Sequence, residues 1–129
     1  MAFETRQLSR APDVVAPDGS EVRILCAAAR GSMAQFRLPA GAVSRAVAHR
    51  TVEEVWCFLS GRGRIWRRLG DHEAVVAVRP GTSITIPVGT RFQFRADGSA
   101  PLIAVAVTMP PWPGDGEAYE VPGPWPATV

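Results

Sequence analysis

The chain has no lysine, only two histidines and only two cysteines among its 129 residues. Each scarcity excludes something. Cys26 and Cys57 are too few for a disulfide framework, and neither belongs to a Cys-x-x-Cys pair of the kind used in redox or zinc chemistry. No apolar run approaches the ~20 residues that a membrane-spanning helix needs, so no membrane partner is expected. The opening MAFETRQLSR lacks a basic stretch followed by an apolar one, so the expectation is a chain without a secretory leader, resident in the cytoplasm. Positive charge rests on fourteen arginines spread from Arg6 to Arg95, and the formal balance is +2. Arg62, Arg64, Arg67 and Arg68 cluster, but Trp66 is the one aromatic among them. A solvated strand face serving solubility or a subunit contact is therefore expected there, and no nucleic-acid partner.

The chain is long enough for one domain, which at this size buries roughly two-thirds of its unfolded surface. No segment carries a sustained helical stripe. Instead nine short runs of β type recur: EVRILCAAA, SMAQFRL, VSRAVAH, EEVWCFL, RGRIWRRL, EAVVAV, TSITI, RFQFRA and LIAVAVTM. Gly, Pro, Asp or Ser punctuates nearly all of them. Some alternate with period two, as at Arg91-Phe92-Gln93-Phe94-Arg95, and others, such as 102–107, are continuously apolar. The expected fold is all-β, an antiparallel jelly-roll barrel, in which doubling or closing the sheet protects its edges. Residues 1–20 read as an irregular arm with a Pro17-Asp18-Gly19 turn, 21–109 as the barrel, and 110–129 as a wrapping tail. That tail holds six of the twelve prolines together with Trp112, Tyr119 and Trp125. It is no central strand, and its aromatics call for burial against the barrel or a second subunit.

Two stretches carry finer information. In HRTVEEVWCFLSGRGRIWRR (49–68), His49 is followed after four residues by Glu54, and Glu54 stands seven residues before Gly61. In GTSITIPVGTRFQFR (81–95), Gly81, Pro87 and Gly89 recur at fixed spacing. These residues resemble the two motifs of the cupins, G-x5-H-x-H-x3/4-E-x6-G and G-x5-P-x-G-x2-H-x3-N. The resemblance implies a small β-barrel and, in members with the complete set, a divalent metal held by three histidines and the glutamate. Here Val47 stands at the first histidine position, Phe92 at that of the second motif, and Ala96 at the asparagine position. His49 and Glu54 remain as the only metal candidates, weak ones because metal sites of this type take three or four protein ligands. His72, in the GDHE turn, is not placed to replace a missing ligand. No cofactor is expected.

If His49 and Glu54 face inward, as the resemblance implies, strand parity puts Arg45 and Val47 inward with His49, and Trp56 and Phe58 inward with Glu54. Phe92 and Phe94 share that face, Arg91 and Arg95 lie outside, and Cys57 points away from Glu54. The expected cavity is lined by Arg45, Val47, His49, Glu54, Trp56, Phe58, Phe92 and Phe94, and suits a small organic molecule stacked on rings. The plain alternative is ordinary barrel core, with His49 and Glu54 hydrogen-bonded to each other. Three functions follow. One is a metal-free small-molecule-binding protein. Another is an isomerase, lyase or dioxygenase using His49 and Glu54 as catalytic acid and base, with or without a metal. The third is an inert module whose edge strands and Pro-Trp tail form a homodimer.

Overall fold

In a computed structural model, which describes residues 3–129, the chain is built of strands and turns. The described residues contain no helix, and so none long and apolar enough to cross a membrane. The strands are β1 (Val14–Val15), β2 (Glu21–Ala28), β3 (Gly31–Leu38), β4 (Val47–His49), β5 (Glu53–Ser60) and β6 (Gly63–Leu69). After them come β7 (His72–Val78), β8 (Ser83–Ile86), β9 (Arg91–Ala96), β10 (Leu102–Met109) and β11 (Ala118–Glu120). Antiparallel pairing arranges them in two sheets: a six-stranded sheet in the order β1-β2-β3-β10-β5-β8, and a five-stranded sheet in the order β11-β4-β9-β6-β7. This is the expected all-β jelly roll, with β2 to β10 falling on the nine runs. Residues 1 and 2 of the expected arm lie outside the described residues.

The two sheets face each other across a core fixed by alternation. In β5, Glu54, Trp56 and Phe58 are buried while Glu53, Val55, Cys57 and Leu59 are exposed. In β10 the even-numbered residues are buried. Large rings oppose small residues across the ladder, Trp56 facing Ala106 and Phe58 facing Ala104, so side chains fill the interior without crowding. From the other sheet come Val47, Ile65, Phe92 and Phe94, all nearly inaccessible.

The tail completes the smaller sheet. Its strand β11 pairs with β4 at the sheet edge, where the prolines around it do least harm. Gln93, buried on the outer face of β9, donates to the carbonyls of Ser44 (2.7 Å) and Trp125 (2.8 Å) and accepts from the Trp125 amide (3.1 Å). The guanidiniums of Arg64 and Arg95 lie over the Trp125 ring at 5.7 and 5.3 Å, and both donate to Asp97. The arginine cluster therefore divides. Arg64 clamps the tail, while Arg67 donates to the carbonyl of Thr85 (2.9 Å) and ties β6 to β8 in the other sheet.

Gly61 turns the chain from β5 into β6 at φ +78°, and a Cβ there would collide with the Pro101 carbonyl. Gly89 has φ +80° but open space around it. Gly89→Ala is therefore expected to cost about 1 kcal/mol of backbone strain, and Gly61→Ala roughly 2–4 kcal/mol because strain and collision add. Urea unfolding of the two variants checks this; equal losses would remove the close approach as a cause.

Candidate functional site

His49 ends β4 and Glu54 is the second residue of β5, so a turn of three residues, Arg50 to Val52, carries the chain from one sheet to the other between them. That turn is held by the tail. Glu117 Oε1 accepts from Thr51 N (2.7 Å), Thr51 Oγ1 (2.7 Å) and Val52 N (2.6 Å). Burial alone would raise the Glu117 pKa, but these donors outweigh it and lower it, so the carboxylate is ionised.

Inside, Trp56 Nε1 donates to Glu54 Oε2 at 3.0 Å. His49 Nδ1 lies 3.9 Å from the same oxygen, beyond hydrogen-bond range, and has no hydrogen-bond partner. The expectation that His49 and Glu54 satisfy one another is thus corrected: Glu54 is held by Trp56, and His49 Nδ1 is left open. The His49 ring sits edge-on between Phe92 (5.3 Å between centroids) and Trp112 (5.1 Å). Trp56 contacts Phe36, Phe58, Phe92 and Phe94 at 5.2–6.0 Å.

Burial dominates the electrostatics. It pushes Glu54 up to about 8, against the Trp56 hydrogen bond and with a further rise from the negative charge of Asp18. It brings His49 down to about 4, partly opposed by the Glu117 charge. Although one distance falls within ion-pair range, both groups are almost wholly buried, and at neutral pH the pair is an uncharged imidazole beside a protonated carboxyl.

Of the eight residues expected to line a cavity, Val47, His49, Glu54, Trp56, Phe58, Phe92 and Phe94 are buried, and all of these but His49 and Glu54 belong to one packed core cluster. Arg45 is the exception. Its side chain is half exposed on the outside, where Nε donates to the Val129 carbonyl (3.0 Å) and Nη1 lies 3.6 Å from Glu120. Parity fails because residues 44–46 are not strand, so the alternation at His49 does not reach back to Arg45. Arg45 instead borders an open cleft of about 360 Å³ between the tail and β9. Cys57 is exposed, facing away from Glu54.

Several members of the site lie outside the sequence reading. Thr90 is buried, with its hydroxyl unpartnered, and parity with Phe92 and Phe94 was a signal for its inward direction. Thr108 pairs in register with Glu54, and its hydroxyl bonds the Ser32 hydroxyl, which also accepts from Trp112 N at 2.9 Å. Trp112 thereby covers His49 from the tail. Asp18 is wholly buried, accepting from Ser20 N (2.8 Å) and Oγ (2.6 Å), and burial raises its pKa against those bonds.

The donor set does not fit the divalent metal that the motifs imply. Among the described residues no group of three or more His, Cys, Asp or Glu side chains converges, and Val47 and Phe92 present hydrocarbon where two ligands would stand.

Glu54 stays protonated in the fold up to about pH 8 but ionises near 4.5 when unfolded, so it removes stability as pH rises through that window. His49 is neutral in the fold down to about 4 but protonates near 6.5 when unfolded, so it removes stability as pH falls. The two slopes oppose each other until about 6.5, above which Glu54 acts without that opposition; Asp18 acts in the same direction as Glu54. Urea-unfolding stability is expected to fall with a Glu54 contribution of up to about 1.4 kcal/mol per pH unit from about pH 6.5 towards 8, and to level off above that. Glu54→Gln should remove that contribution; a variant with the wild-type profile would assign the titration to another group.

Comparison with known proteins agrees with this architecture. A family model described as the cupin domain matches residues 34–108. No curated protein matches the chain in sequence. An uncharacterized conserved protein with a double-stranded β-helix domain from Klebsiella pneumoniae superposes with TM-score 0.70 at 16% identity, covering 93% of this chain and 100% of that one. The capsular polysaccharide assembling protein CapF from Staphylococcus aureus gives TM-score 0.69 at 18% identity over 82% of this chain and 33% of its own. Oxalate decarboxylase from Bacillus subtilis gives 0.70 at 16% over 83% and 29%. The chain thus spans about a third of CapF and less of the decarboxylase, and at these identities the likeness is one of fold. With the motif spacing, the two facing sheets and a family match over more than half its length, the chain belongs to the cupin family.

Proposed function

We propose that the protein binds a small uncharged organic molecule at the His49 end of the barrel, without a metal. The observation that carries this reading is two buried, unpartnered polar atoms: His49 Nδ1, on a ring set edge-on to Phe92 and Trp112, and Thr90 Oγ1, two residues before Phe92. A buried polar group without a partner costs about 1–3 kcal/mol, which a ligand bearing a hydroxyl, carbonyl or ring nitrogen would relieve. An uncharged ligand is favoured because the site's own acid and base are neutral at pH 7, so it offers hydrogen bonds and ring faces but no countercharge. Trp112, about one-third exposed and carried by the tail, is the side chain such a ligand would displace or stack upon.

A second reading has support from one feature. A carboxyl protonated at neutral pH beside a neutral imidazole can deliver a proton to a bound molecule, so a metal-independent isomerase or lyase reaction would use Glu54 as acid and His49 as base. The family's range of chemistry does not choose between binding and catalysis.

A thermal-shift screen of uncharged aromatic and heteroaromatic compounds is expected to give hits that raise the unfolding midpoint and quench tryptophan fluorescence. His49→Ala should weaken them about tenfold, the worth of one hydrogen bond. Titration with Mn2+, Fe2+ or Zn2+ should give no tight stoichiometric binding. Hits confined to anionic compounds, or hits indifferent to His49→Ala, would count against this site; a stoichiometric metal lost in Glu54→Gln would overturn the metal-free reading.

A further inference from the structure

Two arginine rungs cross the outer face of the smaller sheet. Arg64 on β6 stands directly opposite Arg95 on β9, and four residues along both strands Arg68 stands opposite Arg91, with Trp66 and Gln93 as the rung midway. Like charges set opposite each other across a ladder destabilise it unless an anion lies between them. At the first rung the chain supplies that anion. Asp97 accepts from Arg64 Nε (2.7 Å) and Nη2 (3.3 Å) and from Arg95 Nε (2.7 Å), and these bonds, Arg64 foremost, hold its carboxyl below the usual carboxylate range. At the second rung it supplies none. Arg68 and Arg91 are both exposed, and neither forms an ion pair among the described residues. Arg68 Nε reaches only the Gly70 carbonyl, at 3.4 Å. Glu73, level with Arg68 on β7, accepts instead from Trp66 Nε1 at 2.7 Å.

We propose that Arg68 and Arg91 clamp the phosphate group of a small phosphorylated molecule, as Arg64 and Arg95 clamp Asp97. The first rung is an internal template: two arginines at this cross-strand spacing, on these same two strands, converge on one oxyanion. Charge balance favours a phosphate over a carboxylate at the second. Asp97 leaves its rung with one positive charge in excess, and there the Trp125 ring lies against both guanidiniums, at 5.7 and 5.3 Å, and offsets it. Among the described residues no ring lies over Arg68 or Arg91 in that way, so a dianion is needed to balance both, and its several oxygens give each guanidinium fork an acceptor. A small molecule is favoured over a nucleic acid because the clamp is a single rung. The next arginine rung, about 13 Å away along the strands, is already filled by Asp97, and the rung between is uncharged, so this face does not track a run of phosphates.

The clamp stands on the outside of the sheet, whereas Phe92, next to Arg91, is buried against the barrel interior. It therefore does not depend on the reading of the His49 site, and binding there is separable from it by His49→Ala.

Calorimetric titration of the full chain with inorganic phosphate, ionic strength being held constant with chloride, is expected to show one weak site per chain, roughly tenfold tighter than acetate. Arg68→Ala and Arg91→Ala should each weaken phosphate about tenfold, with circular dichroism showing a retained fold. Arg30→Ala, which removes the same charge from the exposed turn between β2 and β3 of the other sheet, should leave binding unchanged, as should His49→Ala. Phosphate bound no better than acetate, or a loss as large in Arg30→Ala as in Arg68→Ala, would overturn the clamp. A single-stranded RNA held far more tightly than phosphate through the same two arginines would overturn the assignment to a small molecule.

Discussion

The hydrogen bond from Trp56 to Glu54 is the contact around which this barrel is arranged. A carboxyl inside a small apolar barrel needs a partner that does not itself bring a charge, and an indole N–H supplies one at 3.0 Å. The same indole is the hub of the ring cluster, meeting Phe36, Phe58, Phe92 and Phe94. Alanines opposite it on β10 leave room for its bulk. Moving Trp56 would therefore disturb the core and release the acid together. Neutral Glu54 is the cheaper state once that geometry is fixed, which is why burial raises its pKa rather than recruiting a cation.

Glu117 is the counterpart outside the barrel. It too is scarcely accessible, yet it takes three donors from the turn after β4 and is ionised. Two glutamates near one histidine thus hold opposite states because Glu54 is the more deeply desolvated and has a single donor, whereas Glu117 has three. The difference also divides their roles: Glu117 fixes the tail over the barrel end, and Glu54 is left with a proton. Because the turn that Glu117 binds joins His49 to Glu54, the tail orients the site at both its covalent connection and its cover, Trp112.

Much of this was legible in the residues. With Glu54 set inward by the resemblance to the cupin motifs, period-two alternation in EEVWCFLS and RFQFRA put Trp56, Phe58, Phe92 and Phe94 on the same face, and Gly61 marked a turn. Arg45 was misplaced because parity holds only within a continuous strand, and the chain leaves strand geometry between Val43 and Val47. The cover by Trp112 was not legible: its amide bonds Ser32, eighty positions away, and no local pattern encodes such a contact. Nor was the orphaned His49 nitrogen, since the difference between 3.9 Å and a hydrogen bond is set by how β4 and β5 cross between sheets.

Replacing two metal ligands changes more than the coordination number. Phe92 at a ligand position contributes a ring against both His49 and Trp56, so the space a metal and its waters would occupy is bounded by hydrocarbon. A cation there would face a protonated acid, one imidazole and aromatic edges. The same residues that put hydrocarbon at two of the family's ligand positions also leave His49 and Glu54 in surroundings that favour their neutral forms. The degenerate motif is therefore internally consistent: neutral acid, neutral base and apolar wall accompany one another, and any ligand suited to that set must bind through shape and neutral hydrogen bonds.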